Sequence, residues 1–191
     1  DDKNKLNFEE NLKIINNQIK QIEKLVNEFS DFARMPKPIL RKNNIVSLIK
    51  ENIKLLNELD KSIDIKFNSN FNEVFLNSDN EQLSRVFLNL IKNSIESIQQ
   101  KHENNSLFDK KITIELFQDD IQIIIIITDN GIGFEKFNNN IKDALNPYIT
   151  TKKNGTGLGL SIVNKIVNDH NGKIELMSVK EGAKIKIVFI K

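Results

Sequence analysis

The sequence predicts an α+β fold in which helices lie on one face of a mixed, largely antiparallel sheet, a two-layer sandwich preceded by one long helix. Two observations carry this reading. A heptad seam runs from Phe8 to Ala33, and beyond it short alternating or apolar strand-like segments are interleaved with segments of helical period. The 191 residues suffice for one well-buried domain plus an appendage. Hydrophobic residues at 39% and charged residues at 28% are ordinary for a folded soluble chain.

The seam consists of Phe8, Leu12, Ile15, Ile19, Ile22, Val26, Phe29 and Ala33, spaced as one face of a long helix that a bundle would cover. It stops at Met35-Pro36-Lys37-Pro38, because each proline lacks an amide donor and pushes the preceding residue out of the helical region. Residues 1–35 are therefore expected as a helical unit, 36–44 as a hinge linker and 45–191 as the main domain. Ile45, Leu48, Ile49, Ile53, Leu55, Leu56 and Leu59 fit a helix. Ile63 to Phe67 and Val74 to Leu76 read as strands. Ser78 with Glu81, or Asp79 with Gln82, forms a capping box for a helix running to about Gln100, followed by a polar loop over 101–110. Lys111 to Phe117 and Ile121 to Thr128 make a hairpin around Asp119-Asp120. The segment 134–154 is long, Asn-rich and aperiodic, as functional lids are. A helix from about Gly157 to His170, a turn at Asn171-Gly172 and strands near 174–179 and 183–190 close the chain.

Several functions are disfavoured at once. A formal net charge of +2, with basic residues scattered, argues against a nucleic-acid surface. The absence of cysteine excludes disulfides and zinc-thiolate sites and suits a reducing compartment. The longest apolar run, Ile123 to Ile127, is too short to span a bilayer and reads as a buried strand; no signal peptide is visible. The tract Asn138-Asn139-Asn140 reflects a general abundance of Asn and carries no functional weight.

The chemistry concentrates in three places. On the helix beginning near Asp79, residues 85, 89, 93 and 97 share one face, which groups Arg85, Asn89 and Asn93 with Lys92 beside them. An asparagine carbonyl can join the hard oxygen shell that Mg²⁺ demands. Asp129 ends an apolar strand ahead of Gly131 and Gly133, where a fixed carboxylate can accept from an exocyclic amine. Gly155-Thr156-Gly157-Leu158-Gly159 leads into a helix whose free amides attract phosphate. It lacks the Lys-Ser/Thr ending of a P-loop and the spacing of a Rossmann fingerprint.

The ordered set Asn89-Leu90-Ile91-Lys92-Asn93, Asp129-Asn130-Gly131-Ile132-Gly133, Pro147-Tyr148-Ile149-Thr150-Thr151-Lys152 and Gly155 to Leu160 resembles the N, G1, F and G2 boxes of sensor histidine kinases. These belong to the GHKL group, with the Bergerat ATP-binding fold shared by gyrase, Hsp90 and MutL. Glu28 to Pro38 is similar to the end of the second dimerisation helix in NtrY-type nitrogen-regulation kinases. The resemblance implies that Asn93 ligates Mg²⁺, that Asn89 and Lys92 lie near the phosphates of ATP, and that Asp129 holds the adenine amine. It implies that Gly131 and Gly133 let the backbone pass the base, and that 134–154 is an ATP lid. In that lid Tyr148 is an anchor and Thr151 and Lys152 lie near the triphosphate, with Gly155, Thr156, Gly157, Leu158 and Gly159 as the phosphate cradle.

The implied activity is transfer of the γ-phosphoryl of Mg-ATP to a histidine, for relay to an aspartate on a response-regulator receiver domain. The implied arrangement is a cytoplasmic homodimer joined through the N-terminal helix, in a parent protein that can be anchored in the bacterial inner membrane. One departure matters: the only histidines are His102, expected in a polar loop, and His170, at a helix end where a basic group suits the dipole. Neither matches the acceptor position, so the chain reads as cut before the phosphoacceptor helix, able to bind ATP but not to autophosphorylate. A GHKL ATPase is the rival enzyme. Its water-activating glutamate would stand where this chain has Asn89, and Glu96 lies on the far side of Asn93. A nucleotide-independent interaction module working through the seam is the rival of another class.

Overall fold

The computed structural model describes residues 2–58, 60–104, 108–134, 137, 140–152 and 155–191. Leu59, residues 105–107 of the expected loop, and 135–136, 138–139 and 153–154 of the expected lid lie outside them. The seam forms helix α1 (Asp2–Ala33), and its apolar residues from Phe8 to Phe29 are exposed. Its C-terminal end meets the rest of the chain: Phe32, and Met35 just beyond the helix, pack against the core, and Arg85 Nη2 pairs with Asp31 Oδ2 at 3.1 Å.

The expected linker is shorter than its sequence suggests. Arg41–Asn44 forms β1, antiparallel to β3 (Phe75–Ser78). A run of Arg-Lys-Asn-Asn carries no strand signal, yet its amides pin it: Asn43 Nδ2 donates to the Ser78 carbonyl at 2.7 Å. Asn44 Oδ1 accepts from Val46 N at 3.1 Å, capping α2 (Ile45–Asn57), and from Val74 N at 3.3 Å.

The main sheet has the order β2–β4–β5–β7–β6, with β2 (Asp64–Ser69) parallel to β4 (Lys111–Gln118) and every other pair antiparallel. Strand β5 (Gln122–Asp129) is central. Its isoleucine run is not buried on both sides: Ile123, Ile125 and Ile127 face the helices, and Ile124 and Ile126 lie half-buried on the outer face. Ile114 pairs with Ile127 and Ile127 with Ile185 of β7 (Ala183–Ile190), so one face is a continuous apolar floor. Helices α2, α3 (Asn80–Asn104) and α4 (Gly159–Asp169) cover it with Ile49, Leu83, Phe87, Leu90, Ile98, Val163 and Ile166, all buried. Each such side chain contributes about 1.5–3 kcal/mol. The edge strand, β6 (Gly172–Ser178), follows the turn at Asn171, whose φ is 56°.

Of the two capping alternatives, Asp79 is the cap of α3. Its Oδ1 accepts from Glu81 N and Gln82 N, each at 3.1 Å. Gln82 does not close the box, because its side chain donates to the Pro36 carbonyl instead. The amide of Asp79 donates to His170 Nε2 at 2.9 Å, and His170 Nδ1 lies 2.8 Å from the Ile166 carbonyl. Buried His170 therefore bridges the end of α4 to the start of α3. Helix α3 also outlasts its expected end, so His102 sits on its last turn with its ring edge-on to Phe108. No helix among the described residues is long and apolar enough to cross a membrane.

Candidate functional site

Asp129 is buried because β5 keeps its alternation to the last residue, placing the carboxylate on the inner face behind Ile127. The sheet thus delivers an acid into its own core. Ser94 of α3 donates to Oδ2 at 3.0 Å, and the Gly131 amide donates to Oδ1 at 2.9 Å. Burial pushes the carboxyl above its ordinary value, against the opposing pull of the Gly131 amide, the Ser94 hydroxyl and the Ala183 amide.

The turn after Asp129 is held against both neighbours. A Cβ on Gly131 would stand 2.2 Å from Ser97 Oγ and 2.7 Å from the Ser97 carbonyl carbon, so its bare Cα serves the approach to α3. Gly133, at φ +66°, faces the Gly182 carbonyl at 2.2 Å, and Gly182, at φ +80°, faces the Asp129 carbonyl at 1.9 Å by the same measure. Ser97 Oγ accepts from the Ile132 amide at 3.0 Å and fixes the turn from the helix side.

From Asp129 a cavity of about 340 Å³ runs between α3 and the segment leading to α4. Asn89, Lys92 and Asn93 line it from α3, with Gly133 near the carboxylate. Thr151, Lys152, Gly155, Thr156, Gly157 and Gly159 close the opposite side. Asn89 Nδ2 donates to the Arg85 carbonyl at 2.9 Å, which leaves its carbonyl oxygen toward Gly159. Asn93 Oδ1 accepts from Lys152 Nζ at 3.0 Å, and that ammonium pairs with Glu96 at 2.5 Å. The start of α4 has no side-chain cap at Leu158, so its first amides are available to an anion.

Gly131, Tyr148 and Leu158 lie outside the lining. Tyr148 holds a positive φ of 66° and turns its ring to Phe29 of α1 at 6.4 Å, while its amide donates to the Gly157 carbonyl at 3.1 Å. Leu158 is buried in the core. The expected aperiodic segment also contains a 3-10 helix, Ile141–Leu145, capped by Asn140. Sequence reasoning missed Ser94, Glu96, Phe134, Phe137 and Glu28 as cavity residues. Ser97 was on the polar helix face by spacing; Glu28 had no local signal, since only folding brings α1 to the cavity.

A family profile described as histidine kinase-, DNA gyrase B- and HSP90-like ATPase matches residues 78–191, more than half of the chain and every element of the cavity except Glu28. The chain belongs to this ATPase family. It is 36% identical over 188 residues to a putative sensor histidine kinase, NtrY-like, of Rickettsia conorii, covering 98% of this chain and 30% of that protein. It is 32% identical over 171 residues to the nitrogen regulation protein NtrY of Azorhizobium caulinodans, covering 86% and 21%. The chain thus spans less than a third of the length of these relatives. Among solved structures, the nucleotide-free catalytic domain of histidine kinase ThkA aligns with a TM-score of 0.67 at 26% identity, covering 80% of this chain and 95% of that one. ThkA in complex with the response regulator TrrA aligns at 0.73 and 23% identity, covering 93% and 49%, which supports the fold with the long helix attached. The ATPase-family assignment agrees with the sheet, its three covering helices and the long first helix.

Proposed function

We propose that the cavity binds Mg-ATP and that the chain is the catalytic module of an NtrY-type sensor histidine kinase. Its chemistry is transfer of the γ-phosphoryl to a histidine, with a response-regulator receiver domain as the next acceptor. One observation carries the reading: a single cavity has a buried carboxylate at one end and amide carbonyls, a lysine and an uncapped helix start at the other. That polarity suits a ligand with an amine-bearing base and an anionic tail. Asp129 accepts from the amine, with Gly133 on the adjoining turn that lines the cavity. Lys92, Thr151, Lys152 and the 155–159 segment receive the phosphates by charge and amide donors.

The donor set fits magnesium. Among the described residues no group of three His, Cys, Asp or Glu could hold a metal. Asn93 nevertheless presents its amide oxygen to a cation, and Mg²⁺ binds through few protein oxygens when phosphates and water supply the rest. Asn93 would hold the ion, with Asn89 one turn away. The bound ion neutralises phosphate charge; the chain's own residues position the tail and exclude water.

We assign 1–35 to the second helix of a dimerisation hairpin and 45–191 to the catalytic domain, on the cytoplasmic side of the membrane. His102 and His170 both lie outside the cavity lining, and His170 is committed to Asp79. The acceptor histidine therefore comes from outside this chain. Asn89 has no basic group for activating water, which disfavours the ATPase alternative. The test is calorimetric titration with a non-hydrolysable ATP analogue, with and without Mg²⁺, on wild type, Asn93→Ala and Asp129→Asn. The expected result is magnesium-assisted binding weakened about tenfold or more by each substitution. No binding by folded wild type would sink the reading and leave an interaction module.

A further inference from the structure

Two carboxylates from outside the 134–154 segment reach donors at the phosphate end of the cavity. Glu96 of α3 holds the Lys152 ammonium at 2.5 Å. Glu28 of α1, 128 residues distant in sequence, accepts from the Thr156 hydroxyl. Both acids line the cavity, where an anionic tail would meet like charge. A carboxylate and a phosphate do share one property, oxygen acceptors suited to the same donors.

We propose that Glu28 and Glu96 stand in for phosphate oxygens, so that a polyphosphate ligand competes with them for Thr156 and Lys152 and thereby loosens the end of α1 from the site. The inference rests on the nucleotide reading of the cavity. Its reach follows from the neighbouring contacts: Phe29 lies against Tyr148, and the Tyr148 amide is bonded to Gly157, so α1 and the phosphate-facing loop share one junction. Asp31 with Arg85 is a further tie between α1 and α3. Competition at Thr156 makes the coupling reciprocal: whatever factor the ligand loses to Glu28, α1 docking loses to the ligand.

The test is calorimetric titration of the full chain with adenosine and with ADP, in Mg²⁺ and again in EDTA, for wild type, Glu28→Gln and Glu96→Gln. Both substitutions keep side-chain size and remove the charge, and thermal melting establishes that each variant is folded. Each variant is expected to bind ADP about three- to tenfold more tightly, with adenosine unchanged. In parallel, spin labels on cysteines introduced at exposed Gln18 and Lys173 should move apart when wild type binds ADP; the chain has no other cysteine. Equal or weaker ADP binding by either variant overturns the competition at its donor, and a label distance indifferent to ADP overturns the link to α1. If folded wild type binds neither adenosine nor ADP, the nucleotide reading itself falls, a distinct outcome because no variant comparison is then involved.

Discussion

At Asp129 the fold holds a carboxyl at the buried end of the cavity, and the surrounding donors offset part of the cost of burying it. The native state raises this carboxyl above its ordinary 3.8, so it holds the proton more tightly than the unfolded chain does. The stabilisation linked to that proton is complete below 3.8 and is lost as pH rises through the folded value. Gly131, Ser94 and Ala183 favour the ionised form against that burial. Ser94→Ala removes one of these donors and should cost about 1–3 kcal/mol in urea unfolding, a cost that grows as pH rises through the folded value. Asp79 behaves oppositely. Partial burial pushes it up, but the amides of Ile39, Gln82 and Glu81 outweigh this and hold it below 3.8. Its contribution is present above 3.8 and is lost as pH falls through the folded value. Asp79→Ala should cost about 1 kcal/mol at neutral pH, and its difference from wild type should close in strong acid.

Among the elements, the link between the Asp129 turn and the start of β7 is the tightest at the site. Gly133 and Gly182 both have positive φ and stand where any side chain would strike backbone. Gly182→Ala should destabilise the protein by at least about 1–3 kcal/mol and weaken nucleotide binding, because the displaced Ala183 amide is one of the Asp129 donors. Melting and titration of the same variant check both effects. Gly182 was illegible beforehand, since the Asp129 carbonyl it meets is 53 residues distant and the pairing of β5 with β7 brings them together. Hydrophobic periodicity made the helices and main strands readable, down to the long seam and the hairpin at Asp119. It was blind to β1, where asparagine amides do the work of apolar side chains, and to His170 replacing Gln82 in the cap. Glycines and polar helix spacing located the cavity. They did not show which glycines face ligand space and which face protein, a distinction set by packing alone.

Taken whole, the molecule has a covered core and an uncovered first helix. Phe8, Leu12, Ile15, Ile19, Ile22 and Val26 are all exposed along one stripe, more apolar surface than a lone helix holds comfortably in water. The stripe should draw a second copy: wild type is expected to elute as a dimer in light-scattering chromatography, and Ile15→Lys with Ile22→Lys to shift it to monomer without changing the melting of the domain. The opposite end of the same helix meets Tyr148. This is the chain's one tyrosine, and there is no tryptophan. Excited at wavelengths beyond the absorption of phenylalanine, the unlabelled protein therefore emits from a single ring, 6.4 Å from Phe29, where the helix touches the loop before α4. The native chain carries its own optical reporter of that junction, and mixing experiments can time its opening without a dye.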